Sequence, residues 1–148
     1  LADGVAQGTF LAMAGLNRLN AGDVPRSPIP SDDMLPAVGQ GAIGIERRMD
    51  DSNTARLLAP IHDVPTAQRL AAERAFLATL DGSCETPIAA LAELDGDRLR
   101  LRGEILRTDG SEALSDEAIG AIADGPQMAI DMAQGLLARA GDGFFDWR

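Results

Sequence analysis

Apolar and charged residues alternate most regularly between residues 99 and 106, which predicts a strand with one buried face and one face in water. Residues 87–94 form a second apolar run, and the intervening Asp95-Gly96 is a strong hairpin signal. A weaker third strand is predicted near residues 112–115. The apolar positions of the clearest strand are Leu99, Leu101 and Ile105, and its charged positions are Arg98, Arg100, Arg102 and Glu104.

Four further segments have the spacing of apolar residues that is typical of helices. We predict helices at residues 5–20, at 52–58, from a capping signal at 63–66 to a stop at Gly82, and at 126–140. The residues expected to face a core are Val5, Phe10, Leu11, Met13, Ala14, Leu16 and Leu19 in the first helix, Ala67, Leu70, Ala71, Leu77 and Leu80 in the third, and Met128, Met132, Leu136 and Ala140 in the last.

The segment between the first two helices has two parts. Three prolines between residues 25 and 33 forbid regular structure and indicate a connector. Residues 41–46 are apolar and contain glycines, which predicts a buried strand that another backbone or a ligand can approach closely. From residue 51 onward, the order helix, helix, three strands, helix predicts an α+β domain, in which helices cover one face of a three-stranded antiparallel sheet.

The composition excludes several classes of function. A net charge of −10 argues against nucleic acid as a partner, because phosphate binding needs a basic face. The chain contains no lysine for a Schiff base or a P-loop, and one histidine with one cysteine does not suit a usual zinc site. No apolar run is long enough to cross a bilayer, and a lone cysteine fits a reducing compartment. We therefore expect a cytoplasmic protein with no membrane partner and no metal.

Cys84 is the main candidate for chemistry. A lone cysteine is more often a small buried apolar residue, but this one follows a predicted helix in the glycine-containing loop 81–85. Asp81, Glu85 and the negative end of the helix should disfavour a thiolate. The loop therefore suits a thiol that reacts once with a strong electrophile better than it suits a nucleophile that turns over.

Three segments resemble the porphobilinogen deaminase family in order and spacing. The first is a helix end, Ala-Gly-Leu-Asn-Arg-Leu at residues 14–19. The second is Leu-Pro-Ala-Val-Gly-Gln-Gly-Ala-Ile-Gly-Ile-Glu at residues 35–46, which is similar to the family's signature strand. The third runs from Glu73 through Asp-Gly-Ser-Cys at residues 81–84 to Ile88 and resembles the cofactor-attachment loop. Asn17 and Ser83 depart from the usual lysine and the frequent glycine.

The resemblance implies the last part of a three-domain transferase. Residues 1–34 would be the incomplete end of an α/β domain 2, residues 35–47 a strand that returns to domain 1, and residues 48–148 the C-terminal cofactor-attachment domain. Because the chain does not begin with methionine, we expect the N-terminal portion of the same protein to be missing. The family's catalytic aspartate would lie in that portion, so no catalytic residue is expected here, and this chain alone should be inactive.

The resemblance also implies the chemistry. The family joins four porphobilinogen molecules into hydroxymethylbilane, a precursor of haem, on a covalent dipyrromethane cofactor. Cys84 would hold that cofactor through a thioether, and a monomeric parent protein is expected. The other residues expected to bind or border the cofactor are Arg18, Gly39, Gln40, Gly41, Gly82 and Ser83.

Two other functions stay open on the residues alone. A non-catalytic α+β module would bind a ligand or a protein reversibly and leave Cys84 unmodified. A thiol redox or acyl-transfer enzyme would have a Cys84 that alkylates rapidly near neutral pH, and the acidic loop argues against this.

Overall fold

The computed structural model describes residues 1, 3–24, 26–83 and 85–145, and the chain divides into two units, Leu1–Met34 and Leu35–Arg148. The first unit holds helix α1. The second holds the remaining helices and the sheet. In chain order the elements are α1 (Met13–Arg18), α2 (Ser52–Leu58), a 3-10 helix (Ala59–Ile61), α3 (Val64–Thr79), β1 (Ile88–Asp95), β2 (Arg98–Leu106), β3 (Ala113–Ala121), a second 3-10 helix (Ile122–Asp124) and α4 (Gly125–Ala140).

The predicted helix at residues 5–20 is wrong over most of its length, since only Met13–Arg18 is helical. None of the described residues in the first unit is buried, and Phe10 is 76% exposed. Periodicity alone does not maintain a helix of this length, because an isolated helix is marginal without an apolar face to bury.

The three strands form an antiparallel sheet in the order β1-β2-β3. Asp95 pairs with Arg98, so the hairpin turns at Gly96-Asp97, where Gly96 has a φ of 58°. The predicted hairpin and the α+β class are therefore confirmed. The third strand is longer than predicted because all nine of its residues pair with β2, although its own sequence is too polar to show the alternation.

Helices α3 and α4 pack on the sheet and enclose the core. The largest fully buried side chains are Phe76, Leu80, Leu99, Leu101, Ile105 and Leu136. Met132 is also buried, as predicted for α4, whereas Met128 and Ala140 are half-buried. The absence of a side chain at Gly103 makes room for α3 and α4, because a Cβ there would lie 2.6 Å from the Phe76 ring and 2.9 Å from the Met132 sulfur.

The buried face of α3 differs from the prediction. Of the predicted residues, Ala71 is exposed and Ala67 and Leu70 are half-buried, whereas Leu77 packs against the core and Leu80, just after the helix, is buried as predicted. The buried residues of α3 itself are Ala72, Glu73 and Phe76, which the prediction did not include. A count of apolar positions misplaces this face because one of its members, Glu73, is charged.

The outer face of the sheet is covered by charged side chains. The guanidinium of Arg100 donates to both carboxylate oxygens of Glu117, at 2.9 and 2.7 Å, and Arg102 donates to Glu93 at 3.0 Å. These arginines therefore bind carboxylates of neighbouring strands. The Arg100 side chain is 42% exposed, as expected for a solvated sheet face, whereas that of Arg102 is only 11% exposed.

The predicted strand at residues 41–46 is not formed in this structure, because no described strand pairs with it. Ile43 is 93% exposed and Ile45 is 57% exposed. A strand requires a neighbour for its backbone groups, and apolar composition does not supply one. No helix within the described ranges is long and apolar enough to cross a membrane.

The helices at 52–58 and from residue 64 are confirmed, and an aspartate caps each one. Asp51 accepts from the backbone N–H of Thr54 at 2.9 Å, and Asp63 accepts from that of Thr66 at 2.8 Å. The early proline of α3, Pro65, has no N–H, so position 65 has no backbone donor that would need a partner in the first turn.

Replacing Asp63 by alanine should destabilise α3, and the loss should depend on pH. Hydrogen bonds from the Thr66 hydroxyl and backbone N–H hold the pKa of Asp63 below its ordinary value of 3.8. The stabilisation is therefore complete above pH 3.8 and is lost as the pH falls through the lower folded-state pKa. Urea unfolding of this chain and its Asp63→Ala variant, measured from neutral to strongly acidic pH, should show the two curves converging in acid. Asp63→Asn is the control, because asparagine also caps helices without the charge; a gap between wild type and Asp63→Ala that is the same at every pH would contradict the assignment.

Candidate functional site

The loop that follows α3 is held close to the body of the second unit. Asp81 has a positive φ of 51°, and the N–H of Gly82 donates to the carbonyl of Leu77 at 3.0 Å. A Cβ at Gly82 would collide with the side chain of Leu77 and lie 2.8 Å from the Cδ1 of Ile88. The absence of a side chain at position 82 therefore allows this loop to pack closely against Leu77 of α3 and Ile88 of β1.

Polar side chains connect the residues on either side of position 84. The backbone N–H of Ser83 donates to the hydroxyl oxygen of Thr86 at 3.0 Å, and the two hydroxyl oxygens are 3.3 Å apart. The N–H of Glu85 donates to the Ser83 hydroxyl at 3.3 Å. Ser83 is exposed and Thr86 is buried, so the loop is tied to the interior through Thr86. Cys84 itself lies outside the described residues.

The segment at residues 36–41 contains Gly39, Gln40 and Gly41, the predicted cofactor-bordering residues. Gly39 and Gly41 have positive φ values of 74° and 80°, which favour glycine. A Cβ at Gly39 would lie 3.6 Å from the side chain of Leu70 on α3, whereas one at Gly41 would meet nothing within 4 Å. One glycine therefore packs on α3, and the backbone of the other is open to an approaching molecule.

Glu73 is a buried charged residue in this region to which the sequence analysis assigned no role in the site. Its side chain is buried, with 6% of the residue exposed. One carboxylate oxygen accepts from the N–H of Gly39 at 2.8 Å, and the other accepts from the N–H of Ala92 at 2.9 Å. Its position beside the apolar residues Ala72 and Phe76 of the helix is a weak sequence signal of burial. Charged residues are rarely buried unless they have partners, so a buried glutamate indicates nearby donors.

Two concave surfaces flank this segment. A groove of about 730 Å³ lies between residues 41–47 and the α2–α3 region, and its lining includes Arg47, His62 and Leu70. A smaller cleft of about 210 Å³ is bordered by Gln40, Gly41 and Glu73, with other residues of α3 and β1. The predicted residues Gln40 and Gly41 thus lie beside space that a ligand could enter.

The other predicted residues lie in separate places. Gly82 and Ser83 are in the loop after α3, as predicted. Arg18 belongs to the first unit, where it is exposed as the last residue of α1. Within the second unit, α3 is the common support: Glu73 on this helix accepts a hydrogen bond from Gly39, and the helix leads directly into the loop at Gly82.

Comparison with known proteins agrees with these motifs along almost the whole chain. A family model described as the porphobilinogen deaminase dipyromethane cofactor binding domain matches residues 1–56, and one described as the porphobilinogen deaminase C-terminal domain matches residues 67–138. The porphobilinogen deaminase of Paracoccus denitrificans is 63% identical over 99% of this chain. The chain belongs to the porphobilinogen deaminase family. Two further family members, from Nitrobacter hamburgensis and Nitrobacter winogradskyi, are each 46% identical, over 98% and 96% of the chain.

This chain spans about half the length of the curated relatives it matches, which is 47% for the Paracoccus protein and 46% and 45% for the two Nitrobacter proteins. The cofactor-binding model covers Arg18 and residues 39–41, and the C-terminal model covers residues 82–84. The division between the two models, at residues 57–66, does not coincide with the division between the two structural units at residue 34.

Replacing Gly82 by alanine should destabilise the second unit by about 1–3 kcal/mol, because the added methyl group overpacks the contact with Leu77 and Ile88. Thermal unfolding of the two proteins measures the loss. Gly135→Ala is a matched control, since a Cβ at this exposed position of α4 meets nothing within 4 Å and alanine favours a helix. The control should be neutral or stabilising; equal stability of Gly82→Ala and wild type would show that the loop relaxes freely around position 82.

Proposed function

We propose that this chain is part of a transferase that joins four porphobilinogen molecules head to tail and releases hydroxymethylbilane for tetrapyrrole biosynthesis. Membership of the porphobilinogen deaminase family, with 63% identity to one member over 99% of the chain, is the observation that carries this proposal. Two features of the structure support it. The residues on both sides of Cys84 are held by packing and hydrogen bonds, and the glycine segment at residues 39–41, with open space at Gly41, is bonded to the same helix, α3.

A dipyrromethane cofactor fits the described residues around this site. The backbone at Gly41 is unobstructed, and Gln40 and Gly41 border the smaller cleft, so a flat pyrrole could lie close to the main chain there. When bound, this group supplies the pyrrole end to which each new porphobilinogen unit is added. The description of the family model over residues 1–56 names this cofactor, and that range contains Arg18, Gly39, Gln40 and Gly41.

Cys84 would carry the cofactor through a thioether. Loss of ammonia from porphobilinogen yields an azafulvene, which is a strong carbon electrophile. A neutral thiol can attack such a centre: as the carbon–sulfur bond forms, the thiol loses its proton and the ring nitrogen gains one, so the aromatic pyrrole is restored and no net charge is left. The exposed carboxylates of Asp81 and Glu85 disfavour a thiolate, and they are compatible with a thiol that reacts once and stays alkylated.

Arg18 would bind carboxylates of the cofactor and of the growing chain. Each pyrrole of porphobilinogen carries two carboxylate side chains, and a guanidinium binds a carboxylate through two parallel hydrogen bonds. The exposure of Arg18 at the end of α1 leaves its guanidinium accessible for this role.

The proposed domain organisation assigns residues 1–34 to the end of domain 2, residues 35–47 to a return strand of domain 1, and residues 48–148 to the cofactor-attachment domain. The exposed Ile43 and Ile45 support a strand that pairs with backbone outside this chain. We further propose a monomeric, cytoplasmic enzyme whose catalytic aspartate lies in domain 1. On that basis this chain alone should form no hydroxymethylbilane.

The mass of the Cys84 peptide from the complete protein tests the proposal most directly. We expect an added mass equal to two linked pyrrole units, and a colour with Ehrlich's reagent that travels with the peptide. Cys84→Ser is the matched control: it should fold normally, since the change is nearly isosteric and lies in a loop, and it should carry no adduct and show no turnover. An unmodified Cys84 in active complete protein, or normal activity of Cys84→Ser, would refute the assignment.

Arg18→Ala in the complete protein should slow cofactor attachment and chain elongation by about tenfold or more, because a charged hydrogen bond to a carboxylate contributes roughly 1.5–3 kcal/mol. Holoenzyme yield by mass spectrometry and steady-state turnover measure the effect. Arg26→Ala is a control in the same unit, because Arg26 donates to the carbonyl of Ala21 and has no proposed ligand. Equal holoenzyme yield and kinetics in wild type and Arg18→Ala would leave Arg18 as a helix-end residue only.

A further inference from the structure

We propose that Glu73 is a positioning residue of the cofactor site: its buried carboxylate fixes the segment at residues 39–41 to the helix that carries the attachment loop. This inference rests on the proposed function, since it assigns a task to a residue beside the cofactor rather than a new activity.

The carboxylate of Glu73 accepts one hydrogen bond at each of its two oxygens. Its two oxygens accept from two backbone N–H groups that belong to different parts of the unit, Gly39 at 2.8 Å and Ala92 at 2.9 Å. Because an ionised carboxylate only accepts, both contacts are satisfied at once. The side chain therefore joins the glycine segment, α3 and β1 at one point.

The same contact completes the edge of the sheet. Alternate N–H groups of an edge strand point away from the sheet. On β1 the N–H of Ala90 donates to the carbonyl of Pro36 at 3.1 Å, and that of Ala92 donates to Glu73. Residues 36–39 thus lie along β1, held at one end by a backbone bond and at the other by the carboxylate.

The consequence for the site follows from the position of α3. Glu73 holds Gly39, and less than two helical turns later the same helix ends at Thr79 and leads into Gly82 and Ser83. The spacing between the glycine segment and the attachment loop is therefore set through one rigid element. Sites that depend on placement are sensitive to small shifts, and a displacement of about 1 Å can cost about a hundredfold in rate.

The substitution Glu73→Gln is the sharpest test of this arrangement. Glutamine has the shape of glutamate, but its amide nitrogen donates, so one of the two backbone N–H groups would face another donor. Amide hydrogen exchange on the complete protein should show protection at Gly39, Ala92 or both reduced about tenfold or more, while the amides of the β2–β3 ladder keep their protection.

Cofactor attachment provides the functional readout. Apo-protein is incubated with porphobilinogen well below its unfolding temperature, and the adduct on Cys84 is followed by mass. We expect Glu73→Gln to load about tenfold more slowly than wild type, and Glu73→Asp, which keeps the charge but is too short to reach both amides, to show an intermediate rate. Glu104→Gln, the same substitution on β2, should load at the wild-type rate.

A core variant separates positioning from general stability. Ile105→Val removes one buried methyl group and should cost roughly 0.5–1.5 kcal/mol without touching Glu73 or residues 39–41. It should load normally while it is folded. Wild-type loading by folded Glu73→Gln or Glu73→Asp would overturn the inference, as would equal slowing in Ile105→Val. Absence of any adduct in wild-type complete protein would instead refute the proposed function, and this inference with it.

Discussion

The close approach of α3 and α4 to the sheet at Gly103 is the constraint on which the rest of the second unit depends. Any side chain at this position would meet the Phe76 ring and the Met132 sulfur, so both helices are set by the absence of one Cβ in the middle strand. Protein interiors are close-packed, and the cost of a shift there is felt throughout the core. Because α3 carries Glu73 and leads into the attachment loop, its placement on Gly103 also determines where the candidate site lies.

Around this core, helix α3 supports two short segments of the site, and each segment is held by its own set of contacts. The loop near Cys84 is held by glycine packing at position 82 and by the Ser83–Thr86 hydrogen bonds. The segment at residues 39–41 is held by the Glu73 carboxylate, which accepts from the N–H of Gly39. Neither set of contacts uses a charged group that faces solvent, so both sets should persist at high salt. The cofactor attachment proposed for Cys84 would require that constancy.

The first two strands and the two long helices could be predicted from sequence because their signals are local. Alternation in β2, the turn at Asp95-Gly96 and the cap at Asp63 each depend on residues that are near one another in the chain. The helix at residues 5–20 and the strand at 41–46 failed for a different reason. Each segment has the apolar residues that a buried helix or strand requires. Whether it forms depends on neighbouring elements that bury or pair with it, and the local sequence does not show these neighbours.

The candidate site divides in the same way. The residues around Cys84 could be named because a motif marks them, and the structure shows how Gly82 and Ser83 are held. Glu73 could not be recognised as a link between Gly39 and Ala92 because those residues are 34 and 19 positions away. A carboxylate on a helix is usually a solvated one. Its role becomes visible only when the fold brings two backbone donors to it.

The occupation of the β1 edge has a consequence for how the sheet meets other chains. The outward N–H groups of Ala90 and Ala92 on this edge are already bonded to Pro36 and Glu73 of the same chain. On the opposite edge, β3, the carboxylates of Asp116 and Glu117 lie beside Arg139 and Arg100. A second copy that paired with β1 at Ala90 and Ala92 would therefore have to displace bonds that the chain makes to itself.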